Sequence, residues 1–415
     1  MQNNWPPIKI IELDLAQPLG PITALSGYSA VYLLIRYYGQ PLGWIWLPIT
    51  ADPVITPAQL YTAIDQQLGW QLVPLVLGGQ LKIDSASDAA LVPISIVLYS
   101  PSPSHHLQAC LGALLGLDYP DYEILIISHR PECTVQSRPA GQPPVHYIYE
   151  PQVGLNRARN RGVIEARHNI IAFIDERARP DRDWLKAIAR AFSEVPNAAA
   201  VTGLVAPAQL ETKAQIRFEF DYGGLGRGFN RQIIRRDALT RLGKGKKKRE
   251  QQLWLWRDTL AQSELLFAQQ FGSGSNMAFR RDVFTKNGLF DLTFDCLPHG
   301  AGGDIEMFHR LVMQGCTLLY EPAVLVWRVH ERDEAELNQL ASTNGKAFGF
   351  YLLTCAHKRT LSRRSILNFS IYNWLWKQFI QRLYKPGKLP RRIILSELAG
   401  ALASPFIYAA VRIGF

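Results

Sequence analysis

The stretch that decides the fold runs from Ile170 to Leu185 and reads IIAFIDERARPDRDWL. Its first five residues are apolar and predict a buried strand, which the acidic pair Asp175-Glu176 follows directly. A turn containing proline comes next, and Asp183 is placed to cap a helix. Ligands of an open α/β sheet bind beyond the carboxyl ends of the strands, so Asp175 is expected in the site. A solvated acidic turn after a core strand is the alternative interpretation.

Composition places the chain among globular proteins. Of its 415 residues, 47% are hydrophobic and 19% are charged, which excludes a disordered chain. That length is enough for about two or three domains. Lysine and arginine number 45 against 35 aspartates and glutamates, so the formal net charge is +10. This excess favours anionic partners, either nucleotide phosphates or anionic lipid. Nucleic acid is a poorer fit because no nucleic-acid-binding module accompanies the charge.

The cysteine pattern and the N-terminus bear on the compartment. Five cysteines are scattered without a CxxC pair, which predicts neither a disulfide framework nor a zinc site and favours a reducing cytosol. The N-terminal MQNNWPPIKI lacks the basic and apolar regions of a signal peptide. No uninterrupted apolar run reaches the length of a bilayer span. We therefore expect a cytoplasmic protein.

Residues 1–90 predict a small β-rich module. Ile8 to Leu15 alternates as a strand, and Val31 to Tyr38 and Trp44 to Leu47 predict two more strands joined by a turn rich in glycine. Thr56-Pro57 then opens a helix that Gly69 is expected to close. A polar linker at 84–88 ends the module, in which we find no catalytic constellation.

Residues 91–335 predict an α/β domain. Strands and helices alternate, the signature of a mainly parallel sheet with crossover helices. The predicted strands are Ile94–Leu98, Glu123–Ile127, Val145–Tyr149 and Ile170–Ile174, and the predicted helices are His105–Leu117 and Asn156–Ala166. The second helix carries Arg157, Arg159 and Arg161, which suit phosphate contacts or, alternatively, a solvated face.

Residues 336–415 predict a helical tail that is both aromatic and basic. Trp374, Trp376 and Tyr384 precede Arg391-Arg392 and a largely apolar stretch. This pattern favours peripheral association with the inner face of a membrane, and two helices packed on the catalytic domain are the alternative. A second basic segment, Arg235 to Arg249, is interpreted as a solvated loop beside the acceptor cleft or as an anchor for an anionic or lipid-linked acceptor.

A series of motifs, in order along residues 92–335, resembles the family 2 glycosyltransferases. The motifs are Leu117–Glu123, Glu150–Gly162, Ala172–Asp175, Thr202–Leu204, Gly272–Arg281, Gly302–Phe308 and Trp327–His330. Each motif is modest by itself, and their joint order is specific. The N-terminal module also looks like one that precedes some bacterial members. The resemblance implies a GT-A fold that binds a nucleoside diphosphate sugar and transfers the sugar to an acceptor hydroxyl with inversion.

The resemblance also implies a general base. Asp304 matches the aspartate that deprotonates the acceptor, and Glu306 is the second candidate. Gly303 stands where the family carries another acid, a departure that removes one acceptor-side contact rather than the base. Because aspartate is also a favoured helix cap, Asp304 as a simple cap is the alternative.

The remaining roles implied by the resemblance concern the donor, the acceptor and a metal. Donor-binding candidates are Ser100, Asn156, Arg159, Asn160, Asp175, Glu176 and Arg177; acceptor-binding candidates are Gly274, Asn276 and Gly303; metal-ligand candidates are Asp175 and His330. The metal would be Mg²⁺ or Mn²⁺, which neutralises the departing diphosphate. Structural roles are the alternatives: a glycine turn before a strand, and a histidine used for packing.

Three departures from the family pattern fall on the donor side. Ser100–Pro103 replaces a Thr-Arg type turn, Ser128–Arg130 lacks an aspartate that contacts the base, and Arg177 replaces the third acid of the central triplet. A guanidinium removes a metal ligand and repels the ion, so we expect weak metal dependence with Arg177 taking part of the diphosphate charge. Alternatively, Arg177 pairs with a neighbouring acid such as Asp181.

The leading hypothesis is transfer of a sugar from a nucleotide donor to a glycan or lipid-linked acceptor. The donor-side departures keep an alternative of another class open. In that alternative, the protein is a catalytically silent relative that binds a glycan or a partner enzyme.

Overall fold

The structure is a computed structural model that describes residues 7–49, 53–77, 91–101, 104–130, 142–236, 265–384 and 389–414. The linker expected at 84–88 and all but the first two residues of the basic segment 235–249 lie outside the described residues.

The N-terminal module is a three-stranded sheet covered by one helix. The strands are β1 (Ile8–Asp14), β2 (Ala30–Tyr37) and β3 (Gln40–Pro48), in that order across the sheet. Strand β2 is parallel to β1 and antiparallel to β3. Helix α1 (Pro57–Leu77) packs on β3. The predicted strands are found, and the helix continues past Gly69, since one glycine inside a helix costs only about 1 kcal/mol.

The central sheet has nine strands. They are β4 (Ile94–Tyr99), β5 (Tyr122–Ser128), β6 (Val145–Tyr149), β7 (Ile170–Asp175), β8 (Ala178–Pro180), β9 (Ala198–Pro207), β10 (Gln232–Ile234), β11 (Asn276–Arg280) and β12 (Thr317–Arg328). The order is β10-β12-β9-β11-β7-β4-β5-β6, and β8 pairs with β12 outside this path. Strands β7, β4, β5 and β6 are parallel, and β11 runs antiparallel between β7 and β9. The expected mixed sheet is thereby confirmed.

Helices cover both faces of this sheet. They are α2 (His105–Leu115), α3 (Leu155–Glu165), α4 (Trp184–Glu194), α5 (Lys213–Arg217), α6 (Asp282–Asn287), α7 (Gly303–Met313), α8 (Glu334–Lys358), α9 (Arg363–Asn368), α10 (Gln381–Tyr384) and α11 (Arg391–Gly414). Two π-helical segments, Phe218–Tyr222 and Phe369–Ile380, and three short 3₁₀ turns, Ala268–Phe271, Leu292–Cys296 and Pro298–Gly300, complete the described elements.

Alternation along the buried strands separates two cores. Val97 and Phe173 pack with α3, α7 and α8 on one face, whereas Ile96, Leu98 and Ile174 pack with α2 and α4 on the other. Successive strand residues point to opposite faces, so each central strand supplies both cores and reads as a continuous apolar run.

The segment after β7 differs from its prediction in two details. The expected turn contains β8, which pairs with the end of β12. Asp183 stands at the N-cap position of α4 without a side-chain capping bond, and its carboxylate lies 3.4 Å from Lys186 Nζ instead. The first detail depends on β12, which is distant in sequence, and the second on Lys186, one turn further along α4.

The N-terminal module docks on the central domain through backbone, charge and aromatic contacts. The Ile8 amide donates to the Leu210 carbonyl at 2.8 Å, and Arg36 Nη1 lies 2.6 Å from Asp181 Oδ2. Trp44 lies edge-on to Trp327, with 6.2 Å between the ring centroids. Asp181 is therefore occupied by Arg36 and is not the partner of Arg177.

The helical tail is found as expected, and its inner side packs on the domain. Helices α8 and α11 are in close contact: a side chain on Gly345 would overlap the Glu397 carbonyl. Arg217 and Arg392 both pair with Glu334 at the start of α8. Among the described helices, the segment Arg391–Ile413 is long and apolar enough to cross a membrane, which amends the sequence expectation, although a single such helix is weak evidence.

Candidate active site

The sheet order creates a crevice between β4 and β7. Strand β4 is followed along the chain by β5 and β6 on one side, and β7 then returns to its other side. Ligands of open α/β sheets bind at such a switch point, beyond the carboxyl ends of the two strands. Tyr99 and Asp175 pair there, and Ser100 Oγ donates to Glu176 Oε2 at 2.7 Å. Asp175, Glu176 and Ser100 thus lie together, as the sequence predicts.

Asp175 is a half-buried carboxylate surrounded by cationic groups. Its Oδ1 accepts from the Arg177 amide at 2.8 Å, and Arg328 Nε lies 3.6 Å from its Oδ2. Burial raises its pKa, but Arg328, the Arg177 amide and side chain, and Arg159 outweigh burial and hold the pKa below the ordinary value. Asp175 is consequently a fixed negative charge at the edge of the crevice.

Glu176 has the opposite tendency. Burial raises the pKa of its carboxyl group and the charge of Asp175 adds to that effect, against the hydrogen bond from Ser100. The two adjacent acids therefore differ in how readily they give up a proton.

Arg177 is paired with an acid, and that acid is Glu331. Arg177 Nη1 lies 3.3 Å from Glu331 Oε1, and Arg328 Nη2 lies 3.8 Å from the same oxygen. The Val329 amide donates to the Arg177 carbonyl at 3.0 Å, which brings the two chain segments side by side. Of the sequence alternatives, pairing with an acid is found, with a different partner from Asp181.

Asp304 lies at the start of α7 and connects with the Asp175 region through one loop. Its Oδ2 accepts from the Gly274 amide at 2.7 Å, and Ser275 Oγ, the next residue, lies 3.5 Å from Asp175 Oδ2. The Gly274 carbonyl accepts from Arg159 Nη2 at 3.2 Å. A side chain at Gly274 would overlap both Arg159 and Asp304, so only glycine permits this approach.

The simple-cap interpretation of Asp304 is not what the structure shows. Gly302 is the N-cap of α7 and has no side-chain capping bond. The Asp304 carboxylate reaches instead to Gly274, on a different loop. Asp304 is half-buried and is held by that loop.

Glu306, the second candidate base, faces elsewhere. Residues two apart on a helix do not share a face. The Glu306 carboxylate is buried and lies 2.9 Å from Lys358 Nζ and 3.2 Å from Arg310 Nη2. Its charge is paired with these two cations, which supports a structural role for Glu306 rather than that of a base.

Arg159 is the buried cation of the site. It lies over the Phe290 ring, with its guanidinium carbon 5.2 Å from the centroid. Burial lowers its pKa, while Asp304, Asp175 and Asp295 act in the opposite direction. An arginine stays charged even so, and it therefore stabilises the carboxylates on both sides of the crevice from beneath.

Residues 96–288 match the family model described as glycosyl transferase family 2. This chain carries a family 2 glycosyltransferase domain. The curved mixed sheet with helices on both faces is its GT-A fold, and the match supports glycosyl transfer.

The chain is similar to two solved structures. A mannosyltransferase, PcManGT from Pyrobaculum calidifontis, in complex with GDP-Man and Mn²⁺, is 13% identical, with a TM-score of 0.39 and 84% of each chain covered. TarS 1-349 from S. aureus is 11% identical, with a TM-score of 0.39, and the match covers 78% of this chain and 92% of that one. No curated protein matches the chain.

Within the glycosyltransferase domain, two of the predicted donor contacts belong to the scaffold. Asn160 donates to the Phe290 carbonyl and accepts from its amide, both at 2.9 Å. Asn156 Nδ2 donates to Asp295 Oδ1 at 3.0 Å and to the Gly300 carbonyl at 3.2 Å. These amides hold the 290–300 loop on α3, and their hydrogen bonds within the fold favour a structural role over a contact with the donor.

Asp295 is a structural residue that sequence reasoning missed. It accepts from the amides of Asn156 at 2.9 Å and Arg157 at 3.0 Å, so it caps α3 from a distant loop. The one signal in the sequence is that Gly154, at the N-cap position, has no side chain with which to cap.

Gly303 departs from the family pattern for a steric reason. A side chain at this position would overlap the buried Asn156 amide, which is held by Asp295 and Gly300. An acid there would displace the contact between α7 and α3. The close packing of Asn156 against Gly303 therefore explains why no acidic side chain contacts the acceptor from this position.

Asn276 is also committed to the fold. Its Oδ1 accepts from Trp184 Nε1 at 2.9 Å, and its Nδ2 donates to the carbonyls of Leu204 at 3.0 Å and Val324 at 2.7 Å. The side chain is fully buried. These bonds favour a structural role for the Asn276 side chain over the predicted contact with the acceptor.

The residues of the predicted metal site do not fit a divalent cation. His330 is buried, with Nε2 lying 3.2 Å from Glu219 Oε2. Asp175 faces the cations of Arg328, Arg177 and Arg159, which repel a metal ion. Within the described ranges, no three His, Cys, Asp or Glu side chains gather into a metal site.

Proposed function

We propose that the domain transfers a sugar from a nucleoside diphosphate donor to an acceptor hydroxyl, with inversion at the anomeric carbon. The observation that carries this proposal is the link from Asp304 through Gly274 and Ser275 to Asp175. It joins a half-buried carboxylate to the crevice at the strand ends. A base and an anchoring site for the donor then lie on opposite sides of one short loop.

The reaction follows from these positions. The acceptor oxygen attacks the anomeric carbon, the bond from that carbon to the diphosphate oxygen breaks, and the acceptor proton passes to Asp304. One displacement from the opposite side inverts the configuration. The Gly274 amide holds Asp304 Oδ2 at 2.7 Å, so we assign the acceptor proton to Oδ1. Arg159, beneath the loop, keeps both carboxylates in place.

The donor side is assigned to the other polar groups of the crevice. Ser100, Asp175 and Glu176 meet at the ends of β4 and β7 and suit hydroxyl groups of the nucleoside or the sugar. On the acceptor side we retain the backbone of Gly274 and Gly303, since the Asn276 amide is bonded within the sheet.

The test is turnover with a panel of nucleotide sugars. Purified protein is incubated with each donor, with and without candidate acceptors, and release of nucleoside diphosphate is followed. We expect release with at least one donor, and we expect Asp304→Asn to abolish most of it while donor binding persists. Donor binding without transfer or hydrolysis under any condition would favour the catalytically silent alternative.

We further propose that the acceptor is lipid-linked and is met at an anionic bilayer surface. The outward side of α11 supports this. Leu395, Leu402, Phe406 and Ile413 follow one helical stripe, and Phe406 and Ile413 are 79% and 87% exposed. Arg391 and Arg392, both exposed, stand at the start of the stripe. Apolar residues beside arginines are complementary to acyl chains beneath anionic headgroups.

The π-helical segment Phe369–Ile380 adds to this surface. Ile371, Tyr372 and Trp376 are exposed on it, and Arg363 and Arg364 stand exposed one turn before. Aromatic side chains favour the interface between lipid and water. The proposed surface is therefore made of two helices whose inner sides pack on the domain.

Vesicle flotation tests the bilayer proposal. We expect the intact protein to float with vesicles that contain anionic lipid and to release at high salt. The variant Leu402→Glu with Phe406→Glu should remain unbound, and the matched control is Ile164→Glu, a 64% exposed residue on α3. Loss of a dimer in the double variant, with no vesicle binding by the wild type, would assign the surface to a second copy instead. Deleting the tail is a poorer test because α11 packs on α8.

A further inference from the structure

Two arginines converge on one carboxylate at the donor end of the crevice. Arg177 Nη1 and Arg328 Nη2 lie 3.3 Å and 3.8 Å from the same oxygen of Glu331. Arg328 is the last residue of β12, and Arg177 immediately precedes β8. These two strands pair in antiparallel orientation. Strand pairing therefore holds both cations at one place.

This cluster has hydrogen-bonding capacity that its own members do not use. Among the residues that the structure describes, neither Arg328 Nε nor Glu331 Oε2 has a hydrogen-bond partner, although both atoms are buried. Arg328 Nε stands 3.6 Å from Asp175 Oδ2, an ion pair beyond good hydrogen-bond distance. A buried guanidinium nitrogen without a partner is costly to the fold and is satisfied when an anion binds.

The surroundings are positive at the point where the strands end. Burial lowers the pKa of His106, on the first turn of α2, and His105, Arg177 and Arg179 lower it further against the pull of Asp175. Arg179 is itself exposed beside the cluster. Arg177 and Arg179 therefore lie close to the first turn of α2, and a phosphate bound between α2 and the cluster would be near both the helix N-terminus and these cations.

We propose that Arg177 and Arg328 bind the diphosphate of the donor in place of a divalent cation, and that Glu331 holds the two guanidiniums until the donor arrives. The inference rests on the proposed function and deepens it. It names the groups that meet the charge of the leaving diphosphate, and it follows from the poor fit of Asp175 and His330 to a metal.

The exchange is chemically reasonable. A guanidinium presents paired N–H donors that match phosphate oxygens, and it carries its charge at any working pH. A diphosphate outcompetes one carboxylate because it offers more charge and more acceptor oxygens. Glu331 then behaves as a competitor for the same cations, so its removal should tighten binding.

Calorimetric titration of the full chain with uridine, guanosine, cytidine and thymidine diphosphate tests the inference, in EDTA and in Mg²⁺ or Mn²⁺. We expect one nucleotide to bind in EDTA with an affinity within about threefold of that with metal. Arg177→Ala should weaken this binding by about tenfold to a hundredfold, as for a lost charge-assisted bond. Glu331→Gln should strengthen it, and Arg177→Lys should fall between. The matched control is Arg231→Ala, whose guanidinium pairs with Glu194 at 2.5 Å and which is not among the candidate site residues.

Each outcome decides a different point. Binding that appears only with metal, or equal affinity of the Arg177→Ala and Arg231→Ala proteins in EDTA, overturns the inference and leaves the proposed function standing. Metal-free binding that depends on Arg177, in a protein that transfers no sugar, keeps the inference and overturns the proposed function. Absence of binding to every nucleotide overturns both. Thermal melting of each variant shows whether a lost affinity comes from a lost fold.

Discussion

Asp304 and Glu306 stand two residues apart on α7, and their surroundings give them different chemistry. Asp304 is half-buried and held by one backbone amide, beside the crevice. Glu306 is buried against Lys358 and Arg310 on another side of the helix. A carboxylate acts as a base only where a substrate can reach it and where its charge is not already matched. Asp304 is the more exposed of the two, and Arg159 acts on it without a salt bridge, which supports Asp304 as the proposed base.

The side of α7 that carries Glu306 also carries His309 and Arg310, and it lines a cavity of about 290 Å³ with Lys358 and Thr360. His309 is buried, with Nδ1 lying 3.2 Å from the Leu265 carbonyl. This side links α7 to the end of α8 and stabilises the fold. The comparison teaches that two carboxylates two residues apart on one helix can have different surroundings, one beside the proposed site and one within the packing of the fold.

The largest expected effect is on turnover. Asp304→Asn keeps the size of the side chain and its bond from Gly274 but removes the base, so turnover should fall by about a hundredfold or more. Melting should shift by no more than about 2 °C, since no buried contact is lost. Steady-state rates and a thermal melt check both. Unchanged turnover would contradict the assignment of Asp304 as the base.

The next largest effect is on the pH dependence of stability, through His309 on the side of α7 that carries Glu306. Burial lowers the pKa of His309 to about 4, against an ordinary value of 6.5. The unfolded chain therefore binds a proton first as pH falls. The contribution of neutral, buried His309 to the free energy of unfolding is fully present above pH 6.5. It is lost progressively as the pH falls towards 4, by about 3 kcal/mol in total. Denaturant unfolding of wild type and His309→Gln across this window should show a flatter curve for the variant.

Glu306→Gln should cost about 2 kcal/mol of unfolding free energy, because Lys358 and Arg310 lose a buried counter-charge while keeping other partners. Those partners are Asp291 for Lys358 and the carbonyls of Asn287 and Leu289 for Arg310. Turnover per folded molecule should stay within about twofold of wild type. A large drop in turnover with normal stability would return Glu306 to the catalytic residues.

The smallest effect concerns the first residue of α7. Gly303→Ala should destabilise by about 1 to 2 kcal/mol, since the new methyl group overlaps the fixed Asn156 amide. Gly112→Ala on α2 is the matched control: it has open space and should stabilise by about 0.5 kcal/mol through helix propensity. Urea unfolding of the two variants measures both. Equal changes in unfolding free energy for the two variants would mean that the Asn156 side chain moves aside more easily than its hydrogen bonds indicate.

What the sequence by itself determined is local or ordered along the chain. Strands β4, β5 and β7 could be predicted nearly to the residue because they are buried on both faces and read as mostly apolar runs. The order of the motifs placed Asp175 in the segment 96–288, which matches the glycosyl transferase family 2 model. These features depend on periodicity and on motif spacing, both of which a single sequence contains.

Only the tertiary structure decided which charge meets which partner. Glu331 was not predicted for Arg177, nor Lys358 for Glu306, nor Asp295 as the cap of α3. In each case the two residues are distant in sequence. The direction of a side chain depends on how its helix or strand packs, and the pKa of a carboxyl group depends on every charge within a few ångströms. Neither quantity is a property of the local sequence, so the division of labour on α7 became visible only in the folded chain.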